Sequence, residues 1–188
     1  MSAAPAAPFG LRYVYHPSGE PRIETLANGI ASGQALPIYT GSAVSIDPAT
    51  GKLMPTPVAA PCVGLFCGCF FISGNRPFKL PYWPAGQTFD AGTPMWAEYT
   101  PFDSQAILEG QANGPVAQTA LGEAINLASA TPTGSVYTGI SSQALAATTT
   151  GATPGTFIVQ NIAGYPDNAW GDAFTIVRVR LTPALPIA

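Results

Sequence analysis

The residues with the clearest capacity for chemistry are three cysteines, Cys62, Cys67 and Cys69, which fall in one apolar run with the spacing C-x4-C-x-C. Such a set could hold a soft metal or cycle between thiol and disulfide. A closed zinc site, however, is built from C-x-x-C pairs and histidines, and this run contains neither. In an extended chain Cys67 and Cys69 would share a face with Val63, Leu65 and Phe71, about 7 Å apart along the strand, a separation that disfavours a bridge. The expectation is three reduced, buried structural thiols in a reducing compartment, with no metal and no cofactor.

The sole histidine, His16, lies in His16-Pro17-Ser18-Gly19. No Gly-x-Ser-x-Gly elbow and no Cys/His partnership accompanies it, so it reads as a turn histidine with a local hydrogen bond. Asp90 and Glu98 are the nearest approach to a carboxylate pair for glycosidic chemistry, but nothing in the sequence makes them face each other. A Gly-x-Gly-x-x-Gly phosphate loop is absent as well. No catalytic residue is therefore expected, and the chain reads as a non-enzyme. The aromatic pairs Tyr82-Trp83, Trp96 with Tyr99, and Tyr165 with Trp170 could recognise a sugar or a protein, since each buries much area behind a polar handle. Spread over three regions, they fit core or subunit contacts better than a single sugar pocket.

The elements that carry these residues are short and β-rich. The sequence predicts strands over Leu11–Tyr15 and Arg22–Leu26 around the His16–Gly19 turn, and over Leu36–Ile46 with a break at Gly41. Asp47-Pro48-Ala49-Thr50-Gly51 turns the chain into Lys52–Met54. Cys62–Ile72 is apolar on both faces and reads as a central strand, whereas Pro77, Pro81 and Pro84 push Phe78–Trp83 to an edge or a loop. Further strands are expected over Thr93–Tyr99, Gln105–Leu108, Thr156–Ile162 and Ala173–Leu181. Leu121–Leu127 offers one or two helical turns, and residues 128 to 155 read as a long polar loop with Val136–Ile140 as its one plausible strand. Core positions should include Val63, Leu65, Cys67, Phe71, Trp96, Ile158, Phe174 and Ile176. The whole is an all-β domain, a single β-barrel or β-sandwich of β-tulip or jelly-roll type over residues 9–188, preceded by an extended Ala/Pro-rich arm over residues 1–8.

Composition sharpens this reading. Of 188 residues only 9% are charged, seven Lys and Arg against ten Asp and Glu, where about 25% is usual. A folded monomer of this size exposes roughly 8,500 Å², so large areas carry no charge and invite association. The seven basic residues are dispersed and make no stripe for phosphates, which argues against nucleic acid as the ligand. The opening MSAAPAAPFG has no basic n-region or apolar h-region, so a cytoplasmic product is expected. The longest apolar run, Pro61–Ile72, falls short of the roughly 20 residues of a spanning helix, and no membrane partner is expected.

One ordered series of short signatures remains. It comprises Phe9-Gly10-Leu11-Arg12 with His16 and Gly19, Ile30-Ala31-Ser32-Gly33, Ile38-Tyr39-Thr40-Gly41 and Val63-Gly64-Leu65-Phe66-Cys67-Gly68. After these come Tyr82-Trp83-Pro84-Ala85-Gly86, Gln111-Ala112-Asn113-Gly114 and Pro166-Asp167-Asn168-Ala169-Trp170-Gly171. In order and spacing the series resembles a family of small virion structural proteins of tailed bacteriophages, usually encoded near the major capsid protein. The resemblance spans residues 9 to 181 and is thin over 44–60 and 128–155. It implies a capsid cement or decoration protein on the outer surface of the virion, made in the host cytoplasm and freed by lysis, with the major capsid protein as partner. It carries over no catalytic residues. A receptor- or carbohydrate-binding virion module is the alternative that would use the same aromatics. Self-association as a homotrimer is expected from the uncharged surface, with Pro5, Pro8, Phe9, Arg12, Tyr82 and Trp83 as the residues that meet a partner.

Overall fold

A computed structural model of the chain describes residues 5–19, 21–58, 60–150 and 156–182. Two antiparallel sheets face each other. The first contains, in spatial order, β1 (Leu11–Tyr15), β10 (Ile107–Gln111), β14 (Ile176–Leu181), β13 (Phe157–Ile162), β11 (Ala124–Leu127) and β12 (Leu145–Thr149). The second runs β2 (Glu24–Ala27), β9 (Trp96–Pro101), β6 (Gly64–Ser73), β4 (Ala43–Ile46) and β5 (Leu53–Pro55), with β7 (Arg76–Leu80) beside the far half of β6. A separate ribbon pairs β3 (Ile38–Tyr39) with β8 (Tyr82–Trp83). Neither sheet closes into a barrel, so of the two all-β forms expected from the sequence the chain adopts the sandwich.

Two cores hold this arrangement. Between the sheets, Leu11, Leu108, Ile125, Leu127, Phe157, Val159, Val177 and Val179 of the first sheet meet Ala43 and Leu65 of the second. On the second sheet's other face, Val44, Phe66, Cys69, Phe71 and Ala97 pack under Ile30, Ile38, Trp83 and Met95. Adjacent residues therefore serve opposite cores: Ala43 and Leu65 one, Val44 and Phe66 the other. That is the pleat of a strand buried on both faces. Gly64 lets β9 come close, because a Cβ there would stand 2.4 Å from the Thr100 carbonyl oxygen.

A bulge in β6, where the pairing passes from Phe66↔Tyr99 to Gly68↔Glu98, shifts the alternation by one. Beyond it Cys69 and Phe71 face the same core as Phe66, while Cys67 stays on the side of Thr100, whose hydroxyl is 3.3 Å from its Sγ. Cys67 and Cys69 thus point apart, contrary to the uninterrupted strand expected from sequence.

Turns follow the residues that favour them. Asp47 accepts the Ala49 N–H at 3.0 Å and the Thr50 hydroxyl at 2.7 Å, closing the β4–β5 turn. Its carboxyl is held below the usual carboxylate range chiefly by Thr50 and then by Ala49. Asp90, a candidate acid in the sequence, caps the β6–β7 turn by accepting the N–H groups of Gly74 and Asn75 at 3.0 and 2.8 Å. Glu98 instead pairs with Lys79 at 3.1 Å.

Several expectations are corrected. Of the expected core positions, Leu65 and Phe71 are buried, whereas Val63, Cys67, Ile158, Phe174 and Ile176 are half-buried and Trp96 is exposed. In β13 and β14 the inward residues are Phe157 and Val159, and Val177 and Val179, the opposite parity from the one expected. Leu121–Leu127 holds the strand β11; the one helical turn among the described residues is a 3-10 turn at Gln118–Ala120. Val136–Ile140 is a tight turn, and β12 forms further on. The described part of the arm, Pro5 to Pro8, lies against its own domain instead of extending away; residues 1–4 lie outside the described residues.

Replacing Phe157 with Ala should cost about 3–5 kcal/mol in chemical denaturation. The same change at half-buried Phe174 should cost clearly less, and equal losses at the two positions would contradict the observed parity.

Candidate functional site

Four of the six residues expected to meet a partner come together on the outer face of the first sheet. Register places Arg12 of β1 opposite Glu109 of β10, and Glu109 opposite Arg178 of β14, so one acid lies between two guanidiniums. Glu109 is 1% exposed. Its Oε1 accepts Arg12 Nε at 2.9 Å, Arg12 Nη2 in a shorter contact, and the Tyr165 hydroxyl at 2.7 Å. Its Oε2 lies 3.6 Å from Arg178 Nε, an ion pair longer than a hydrogen bond. The Arg12 guanidinium also sits 5.1 Å from the Phe9 ring centroid and 5.7 Å from that of Tyr165, a cation–π contact on each.

Two residues further along β10, the Gln111 carboxamide takes over a β-strand's role for the N-terminal segment. It accepts the Ala7 N–H at 2.9 Å and donates to the Pro5 carbonyl at 3.0 Å. Pro5 is exposed and Pro8 half-buried on this seat. Across the site the segment carrying Tyr165 is clamped by Asn168, whose Nδ2 donates to the carbonyls of Ala163 and Ile176 and whose Oδ1 accepts the Ile176 N–H, each at 2.8 Å. The site is a charge-paired platform under a short peptide seat. It leaves about half of the Arg12 side chain exposed beside the Phe9 and Tyr165 rings.

The other two candidates lie elsewhere. Trp83 is wholly buried, edge-on to Phe71 with ring centroids 5.0 Å apart, so its expected role at a partner surface is overturned by its place in the second core. Tyr82 is half-buried and stacks on Tyr39 at 5.6 Å.

Sequence reasoning missed a cavity of about 570 Å³ lined by residues including Tyr13, His16, Pro21, Arg22, Phe102 and Asp103. Its two walls are the β1–β2 and β9–β10 connections, where the chain crosses between the sheets. His16 staples them: Nε2 lies 3.1 Å from Asp103 Oδ1, while Nδ1 accepts the Ser18 N–H at 3.0 Å and lies 2.5 Å from the Ser18 hydroxyl. The row Ser18, His16, Asp103 has the composition of a catalytic triad. Here, however, the nitrogen facing the hydroxyl also closes the turn through the Ser18 N–H, so its lone pair is committed to local structure. The Asp103 carboxyl is held below the usual carboxylate range first by the Gln105 N–H and then by His16.

The thiols do not converge. Cys62 belongs to the core between the sheets and Cys69 to the other one. Burial pushes Cys62 up to about 11 and Cys69 up to about 12, and Cys67 is raised as well. Among the described residues no three His, Cys, Asp or Glu side chains are grouped to hold a metal ion. No family model, curated protein or solved structure matches the chain.

Native protein at pH 7 should resist alkylation at Cys62 and Cys69 and label at both in denaturant; rapid native labelling at either would contradict the raised values. For Asp103 a lowered folded value means stability that is present above the ordinary carboxylate pKa and lost as pH falls through the folded one. Its titration by NMR should therefore have a midpoint below that of an ordinary, unpaired aspartate. His16→Ala should raise that midpoint only in part, because the Gln105 N–H remains.

Proposed function

We propose that this chain is a capsid cement protein of a tailed bacteriophage. It binds the outside of the major capsid lattice as a homotrimer and stabilises the head, with neither enzymatic activity nor a cofactor. It is made in the host cytoplasm and carried on the outer surface of the virion.

The observation that carries this reading is a surface poor in charge that presents large apolar side chains from ordered backbone. The chain exposes 9425 Å² with seven basic and ten acidic residues to serve it. Ile23, Trp96, Val136, Tyr137 and Ile140 are exposed, and Tyr137 is 97% so. Apolar side chains exposed on a surface with so few charges favour cover by other subunits or by the lattice the protein binds. Threefold positions on a capsid favour a closed trimer that engages several subunits at once. Pro5, Pro8, Phe9 and Arg12 supply an edge at which the N-terminal segment, seated on Gln111, meets a neighbouring subunit.

A second reading, a receptor- or carbohydrate-binding virion module, is favoured by one feature. Phe70 and Trp96 stack with centroids 5.0 Å apart, and Trp96 is 43% exposed, a platform a sugar ring could cover.

Particles lacking the protein should assemble but rupture at lower temperature or under milder osmotic shock, and adding purified protein back should restore them. Deleting residues 2–8 should weaken capsid binding while the fold persists, since Phe9 and Arg12 remain. Particles as robust as wild type that fail to adsorb to host cells would replace the cement reading with the receptor-binding one.

A further inference from the structure

We propose that the outer face of the first sheet docks an acidic surface of another protein, held through the guanidiniums of Arg12, Arg178 and Arg180. That the other protein is the major capsid protein rests on the reading above; the choice of a carboxylate-bearing partner rests on charge and strand register alone.

Three of the five arginines, dispersed in the sequence, are brought onto one face by the pairing of β1, β10 and β14. Leu108, Val177 and Val179 point into the core between the sheets, so by alternation Glu109, Arg178 and Arg180 point away from it. Arg12 follows the inward Leu11 and lies opposite Glu109. Arg12 and Arg178 thus flank Glu109 at one strand spacing each, about 4.8 Å, and Arg180 stands two residues along β14, about 7 Å from Arg178. These four are all the charged residues in the six strands of the first sheet. Three arginines less one glutamate give that sheet +2 in a chain of net charge −3, which leaves −5 for the rest of the sequence. In the strands of the second sheet, by contrast, Arg76 and Lys79 are balanced by Glu24 and Glu98.

One carboxylate does not use up the cations around it. Glu109 spends Oε1 on Arg12 and the Tyr165 hydroxyl, while Arg178 Nε, shielded from solvent, lies 3.6 Å from Oε2 and makes no hydrogen bond. The Arg12 and Arg178 side chains remain 54% and 40% exposed. Arg180 is half-buried and forms no ion pair among the described residues. Half-buried Ile158 of β13 lies directly opposite Arg180 on the same face. Guanidiniums present forked N–H donors that match a carboxylate, and arginine on apolar ground is the composition of a protein interface.

Two other occupants fit this face less well. A nucleic acid needs a run of cations along its phosphates, whereas here three guanidiniums surround a fixed carboxylate and border isoleucine. A second copy of this chain has negative charge to spare but no group of free carboxylates to present. Asp47, Asp90, Asp103 and Asp172 accept N–H groups of their own turns, and Glu98 is paired with Lys79. The matching surface belongs to a different protein, one that sets carboxylates about 7 to 10 Å apart, the spacing of the arginines across and along the strands.

Two substitutions of equal charge change test this. Arg180→Glu reverses a charge on the face, and Arg76→Glu does the same at an exposed position of β7 in the second sheet. The probe is short poly-L-glutamate, titrated at low salt into the intact chain and followed by NMR. It should shift the Nε–H signals of Arg12, Arg178 and Arg180 in the wild type, and the shifts should fade as salt is raised. Arg180→Glu should weaken that binding about tenfold, while Arg76→Glu leaves it near the wild-type value. Absence of shifts on this face in the wild type, equal losses in the two variants, or tighter binding of single-stranded DNA than of poly-L-glutamate would each overturn the proposal. A wild-type oligomer that Arg180→Glu dissociates would overturn it too, by assigning the face to a second copy. Binding to capsids separates this proposal from the cement reading. Poly-L-glutamate bound at the face by a wild type that ignores capsids supports the proposal and removes the cement reading; capsid binding that is indifferent to Arg180→Glu keeps the cement reading and overturns the proposal.

Discussion

The fold depends on one strand that must be apolar on both faces. β6 pairs with β9 along one edge and with β4 and then β7 along the other, and its residues feed both cores. Without Leu65 the two sheets lose a contact at their centre; without Phe66, Cys69 and Phe71 the layer of Ile30, Ile38, Trp83 and Met95 has nothing to cover. The bulge at Cys67–Gly68 makes the second arrangement possible. It lets Phe71 reach Trp83 edge-on and stack against Phe78 of β7. A strand of uniform alternation would send Cys69 and Phe71 to the face opposite Phe66 and divide this cluster between two layers.

With so few charges, each buried polar group carries a large share of the long-range order. Glu109 brings β1, β14 and the Tyr165 segment onto one carboxylate. Burying that charge is costly unless it is matched, and two arginines and a phenol match it. Gln143 reaches across from the 128–150 region, its Oε1 accepting the Ala43 N–H at 3.0 Å. That bond, with the Thr40 backbone bonds to Gly139 and Ser141 at the Val136–Ile140 turn, orders a stretch whose Ala, Thr, Ser and Gly composition offers little to a hydrophobic core.

The same scarcity shapes the surface. Ordinary domains keep apart through scattered charge and small apolar patches. This one exposes Val136, Tyr137 and Ile140 on one turn and Trp96 where it stacks on Phe70, while two of its five arginines, Arg12 and Arg178, pair with Glu109.

Local pattern was enough for much of this. The β-branched and aromatic runs, broken by 20 glycines and 20 prolines, made the chain all-β. The Asp47–Gly51 turn, the edge position of the proline-rich β7 and the turn role of His16 follow from residue chemistry acting over a few positions. Tertiary structure decided what depends on parity and on distant partners. A single-residue bulge at Cys67–Gly68 inverted one face of β6, and in β14 the inward face is Val177 and Val179 because the first sheet turns that side to Leu65. The platform of Phe9, Arg12, Glu109 and Tyr165 joins three stretches of chain, with Arg12 97 positions from Glu109 and Glu109 56 from Tyr165. The cavity beside His16 exists because two crossovers between sheets end side by side. Neither leaves a local mark, because strand order and register are set by which faces the whole sheet can bury.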